Sequence, residues 1–143
     1  MMRTLLVVLP LLLVFSANAQ DADDPCAQPA DKQILKLLDA ASKAKDPTDR
    51  HAKLKSTLEI DAECVECNFR LGLSAYRIGK ESGKGYAAGI KYMEAVKAKC
   101  PNYHSDVLYH LGVMYYAQDQ FAQAAQAFEA FKRFPTEDAA RVS

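Results

Sequence analysis

The sequence predicts an all-α fold in which three antiparallel helix hairpins stack side by side as a short solenoid. Three observations lead there. Apolar residues recur at helical spacing from Ile34 to Phe131, as amphipathic helices require. Proline, glycine and aspartate clusters cut this pattern into six segments. Two of the three segment pairs resemble each other: "FRLGLSAY" from Phe69 parallels "YHLGVMYY" from Tyr109. An alternating period-two run bounded by turn residues is missing, so no strands are expected.

The elements follow in order. Ile34, Leu37, Leu38 and Ala41 share one face of a first helix, which Asp46-Pro47 breaks, because the residue before proline disfavours the helical region. Leu54 and Leu58 mark a second, weakly apolar helix that "DAEC" at 61–64 ends. A third holds Phe69, Leu71, Leu73, Ala75 and Tyr76 and stops at the glycine-rich stretch "RIGKESGKGY". A fourth runs from about Tyr86 to Lys99 with Ile90, Met93 and Val96, and Cys100-Pro101-Asn102 terminates it. The fifth carries Val107, Leu108, Leu111, Met114 and Tyr115. The sixth carries Phe121, Ala124, Ala125, Phe128 and Phe131, and Pro135 closes it.

Residues 1–19 stand apart. Arg3, an apolar run from Leu5 to Phe15 and the small residues Ala17-Asn18-Ala19 have the form of a cleaved secretory signal. The run is too short to cross a bilayer, which takes roughly 20 residues. No later stretch could span one either. Export to the periplasm or the outer membrane is therefore expected, with residues 20–29 a flexible polar lead into a helical domain over 30–135. Charge is balanced at 18 basic and 18 acidic residues, and no basic stripe marks a nucleic-acid face.

The paired segments carry a known pattern. Phe121, Ala124, Phe128 and Phe131 are spaced three, four and three apart, as are Tyr86, Gly89, Met93 and Val96, and a proline follows each set. Here the chain resembles the tetratricopeptide repeat family, whose signature is W-x2-L-G-x2-Y, then A-x3-F, then P. Leu108, Leu111-Gly112, Tyr115, Ala124, Phe128 and Pro135 fill those places in the last repeat, with the proline one residue early. The middle repeat keeps Leu71-Gly72 but has Ala75 where the tyrosine belongs, and the first keeps only Ile34, Leu37 and "LEID". The resemblance implies a right-handed solenoid with repeats at about 31–64, 65–102 and 105–135. Gly72 and Gly112 would sit mid-helix, where glycine costs roughly 1 kcal/mol against alanine, so a close helix approach should explain them. Gly89 and Ala124 are the expected small residues opposite.

The resemblance also implies a function. The first helix of each repeat lines the concave face of such arrays. The matching positions are Phe69, Leu73 and Tyr76, then Tyr109, Val113 and Tyr116, a lining suited to a peptide or a partner protein. The competing expectation is that these aromatics are core. A looser likeness extends to the N-terminal repeat region of bacterial envelope proteins that continue into β-propeller and OmpA-like domains. "TEDAARVS" at 136–143 reads as the start of a capping helix that is cut short. The alternative role is thus structural, within a larger envelope or peptidoglycan-associated assembly.

Catalysis finds little support. His51, His104 and His110 form no helical metal pair, and His110 is expected on a solvated helix face. No nucleophile has a base placed by a recognisable motif. No catalytic residue, cofactor or metal is assigned. The "RIGKESGKGY" stretch contains G-x-x-x-G-K, but a phosphate loop needs a preceding strand, one more residue and a hydroxyl after the lysine. Gly85 stands in the hydroxyl position, so the stretch is read as a hinge carrying an insertion of about five residues. Arg77, Lys80 and Lys84 give it at most a weak pull on anions.

Four cysteines in an exported chain point to disulfides. Cys64-x-x-Cys67 lacks the histidine of a haem site, and its acidic neighbours oppose a reactive thiol. A zinc set of Cys64, Cys67, Cys100 and His104 is the minor alternative. Because a hairpin's first start and last end share one edge, the repeat resemblance suggests Cys26–Cys64 and Cys67–Cys100. The other pairings stay open, with Cys64–Cys67 expected to be strained within one turn.

Overall fold

The structure is a computed structural model that describes residues 24–135. The expected signal peptide, the first residues of the 20–29 segment and the expected capping helix at 136–143 lie outside the described residues. Among the described residues six helices follow one another: α1 Lys32–Lys43, α2 Pro47–Ile60, α3 Val65–Ser82, α4 Tyr86–Lys99, α5 Ser105–Ala117 and α6 Phe121–Lys132. Among the described residues there is no strand. Each helix packs on the next, so the fold is three hairpins, α1–α2, α3–α4 and α5–α6, stacked in sequence order.

Local chemistry sets the ends. Asp31 caps α1 by accepting from the backbone N–H groups of Gln33 and Ile34 at 2.8 and 3.0 Å. Asp46 caps α2 through Asp49 N–H at 2.7 Å, with Pro47 at the first helical turn, where its missing N–H costs nothing. The cap of α5 is His104, whose Nδ1 accepts from Asp106 N–H at 3.1 Å.

The glycine-rich stretch divides differently from the expectation. α3 does not stop before it but continues through Gly79 to Ser82, giving 18 residues against 13 in α5. The insertion is thus spent mostly on extra helix. Only Gly83 and Gly85, at φ +69° and +104°, make the turn, in a conformation that suits glycine. No strand precedes it, which leaves the hinge reading in place.

Two apolar clusters form the core. Ile34, Leu38, Ala41, Leu54, Cys67 and Leu71 join the first hairpin to α3. Met93, Val96, Val107, Leu111 and Met114 join α4 to the last hairpin. α3 contributes to both, through Leu71 to the first and Val65 to the second. Each fully buried Leu, Ile or Met contributes about 1.5–3 kcal/mol.

The mid-helix glycines are notches, but not for small partners. A Cβ on Gly72 would lie 2.9 Å from Met93 Cγ, and one on Gly112 would lie 2.6 Å from the Phe128 ring. A Cβ on Gly89 would meet Met114 Sδ at 2.5 Å. The second and third hairpins, and the joint between them, therefore nest by laying a large side chain over a bare backbone. In α6, Ala124 and Ala127 are buried, while Phe121 and Phe131 are exposed.

The disulfides correct the expected pairing. Cys26 joins Cys100, and Cys64 joins Cys67. Residues 24–29 pass beside Asp61, Glu63 and Cys64, just beyond α2, and carry on to the end of α4, where Gln28 Nε2 also donates to the Tyr103 hydroxyl at 3.4 Å. That brings Cys26 to Cys100 and leaves Cys64, the N-cap of α3, to pair one turn along with Cys67. The zinc alternative loses its three thiolates to these bonds.

Candidate binding groove beside helix α3

α3 presents Glu66, Phe69, Arg70, Leu73, Tyr76 and Arg77 at steps of three and four, which is one helical face. Where this face meets the α1–α2 hairpin, an open cavity of about 450 Å³ forms. Leu54, Phe69 and Leu73 give it apolar wall, and Arg50, Arg70 and Arg77 give it positive charge. Ala41 and Ser42 close the side toward α1.

One buried acid organises the wall. Glu66 accepts from Arg70 Nε and from the Tyr103 hydroxyl. Burial and then the Glu66 hydrogen bond push the Tyr103 phenol up to about 12. Arg50 uses one Nη to donate to the Ala44 carbonyl at 2.6 Å, which fixes the α1–α2 turn. Ser74 also lines the groove, and its Oγ lies 3.0 Å from His51 Nδ1. Burial, aided by Lys55, holds the His51 imidazole below its ordinary value.

The six expected binding residues do not form one surface. Phe69 and Leu73 line the cavity, and both also rest against the core. Phe69 packs on Tyr103 and His104 with ring centres 5.5 Å away in each case. Tyr76 is half-buried, turned toward α5 with its ring 4.6 Å from His110, and Lys80 lies over it at 5.7 Å. Val113 is half-buried on α5. Tyr109 is exposed and sits against His110 and Phe131 at 5.3 and 5.7 Å. Tyr116, 63% exposed, pairs with Phe121 near the α5–α6 turn and lines no part of the cavity.

His110 departs from its expected solvated face. It is half-buried between Tyr76 and Tyr109, and its Nδ1 donates to the Asp106 carbonyl at 2.7 Å. Sequence reasoning also missed the three arginines as a group. The i, i+7 spacing of Arg70 and Arg77 was the available signal, but Arg50 joins them only through the stacking of the first hairpin.

The last hairpin has a glycine mid-way along α5 beneath an α6 aromatic, with Ala124 of α6 buried. Residues 106–136 match the family model of the tetratricopeptide repeat. The match covers α5 and α6, and the whole architecture fits a tetratricopeptide-like solenoid of helical hairpins. Tetratricopeptide repeats generally mediate protein–protein interactions and are typically non-catalytic. No curated protein and no solved structure matches the chain.

Proposed function

We propose that this chain is a non-catalytic interaction module of the bacterial cell envelope that holds a peptide, or an extended segment of a partner protein, in the groove beside α3. One observation carries the reading. Phe69 and Leu73 form the wall of an open cavity of about 450 Å³ beside the first hairpin, a concave and partly apolar site with convergent polar groups, as ligand sites generally are. The export part rests on the signal-like residues 1–19. Protein partners in general follow from the repeat match.

A second reading has its own observation. Tyr116 and Phe121 form an exposed aromatic pair at the edge of the last hairpin, where a neighbouring domain of a larger envelope assembly could sit. A photo-crosslinking amino acid placed at Leu73 or at Tyr116, in the native cell, separates the two. Protein crosslinks from position 73 support the groove. Crosslinks from position 116 alone, with none from 73, overturn the groove in favour of the structural role. N-terminal sequencing of the exported form should begin at Gln20.

A further inference from the structure

From the charge around the groove we infer that its ligand is an acidic peptide segment, an internal stretch with two carboxylate side chains flanking an apolar one. This rests on the groove reading above. Three guanidinium groups and one carboxylate line the cavity. The carboxylate, Glu66, is already engaged by Arg70 Nε and the Tyr103 hydroxyl. Glu66 takes only the Nε hydrogen of Arg70, and Ala44 takes one Nη of Arg50, so both arginines keep terminal donors for a ligand. Arg77 is exposed and has no carboxylate partner among the described residues. Glu81, the nearest acid along α3, makes no ion pair among the described residues. The groove thus holds a surplus of positive charge over an apolar floor.

Its dimensions set the ligand's pattern. Arg70 and Arg77 are two turns apart, about 10 Å along the helix axis, with Leu73 between them. An extended peptide in the polyproline II form covers that distance in about three residues and returns side chains three apart to the same face. Carboxylates about three residues apart would meet the two guanidinium groups, each able to hold a carboxylate by two parallel hydrogen bonds. An apolar side chain between them would lie over Leu73 and Phe69. The balanced charge of the whole chain hides this local excess.

The test uses the chain from Gln20 to Ser143 and two synthetic peptides, both acetylated and amidated so that no terminal charge contributes. One has the sequence Gly-Glu-Leu-Ala-Glu-Gly, and the other replaces each Glu by Gln. Calorimetry or fluorescence anisotropy should show saturable binding of the acidic peptide that weakens with salt, and binding of the Gln peptide at least about tenfold weaker. Arg77→Glu should lose about tenfold or more for the acidic peptide while its melting temperature stays put, and Arg77→Lys should recover part of the loss. Equal binding of both peptides, with Leu73→Ser abolishing both, overturns the acidic class and leaves the groove standing. Unchanged affinity in Arg77→Glu, or no saturable binding of the acidic peptide, overturns the inference. If position 73 also yields no crosslinks, the groove reading falls with it.

Discussion

Met93 lies across Gly72, with its Cγ 2.9 Å and its Cε 3.0 Å from where a Cβ would stand. The contact joins the two helices of the middle hairpin. A methionine is flexible enough to yield to one methyl group, and alanine would recover about 1 kcal/mol of helix propensity. Gly72→Ala should therefore change stability by less than about 1 kcal/mol in urea unfolding. Gly89→Ala should cost more, about 1–3 kcal/mol, because its Cβ would meet both Met114 Sδ at 2.5 Å and the Ala75 Cβ at 3.4 Å.

The disulfides make a prediction of connectivity and of scale. Non-reducing peptide mapping of the oxidised protein should link the peptide containing Cys26 to the one containing Cys100. A Cys26–Cys64 link would refute the arrangement. Cys26 and Cys100 are 74 residues apart and Cys64 and Cys67 only three. In the chain-entropy model the first constrains the unfolded chain by about 4 kcal/mol and the second by about 2. The double serine variant at 26 and 100 should unfold at distinctly lower urea than the one at 64 and 67.

Two groups tie stability to pH from opposite ends. Burial holds the His51 imidazole below its ordinary 6.5, so the folded state disfavours its protonation. That contribution is complete above about pH 6.5 and is lost as pH falls through the lower folded value. At the other end, the Tyr103 and Tyr115 phenols are pushed up to about 12 from 10, by burial and then by hydrogen bonds to Glu66 and Glu94. Their contribution is complete below pH 10 and is lost as pH rises toward 12. Melting temperature against pH should fall on both sides, less steeply on the acid side in His51→Gln and on the alkaline side in Tyr103→Phe.

The aromatic residues on the helical faces should separate by alanine substitution. Tyr76 is half-buried against His110 and Tyr86, so Tyr76→Ala should destabilise by about 1–3 kcal/mol. Tyr116 is 63% exposed, and its alanine variant should stay within about 0.5 kcal/mol of the parent. Equal losses at the two positions would contradict the placement.

The helix pattern was legible because each hairpin's buried set repeats locally: Ile34, Leu38 and Ala41 can be read without knowing what covers them. The span expected for the fourth helix, Tyr86 to Lys99, is the span observed for α4. The length of α3 was not legible, because Gly79 reads as a breaker until the Tyr86 ring is seen lying over it, 2.5 Å from where its Cβ would be. The disulfide pairing depended on the course of residues 24–29 across the stack, which spacing does not encode. The same holds for the groove. Phe69 and Leu73 could be placed on a helix face, but the charge beside them needs Arg50 from another hairpin. His110 looked solvated because its cover, Tyr76, lies 34 positions away in the chain.

Large side chains of one helix seated on bare backbone of another hold the second and third hairpins together, and Gly112 beneath Phe128 is the most direct place to test this. A double-mutant cycle of Gly112→Ala with Phe128→Ala, read by urea unfolding, separates crowding from helix propensity. With Phe128 present, Gly112→Ala should destabilise by about 1–3 kcal/mol. With Phe128 removed, the same change should become neutral or stabilising, by up to about 1 kcal/mol. An equal effect of Gly112→Ala in both backgrounds would mean that the ring does not sit on the glycine, and the nested hairpins would be wrong.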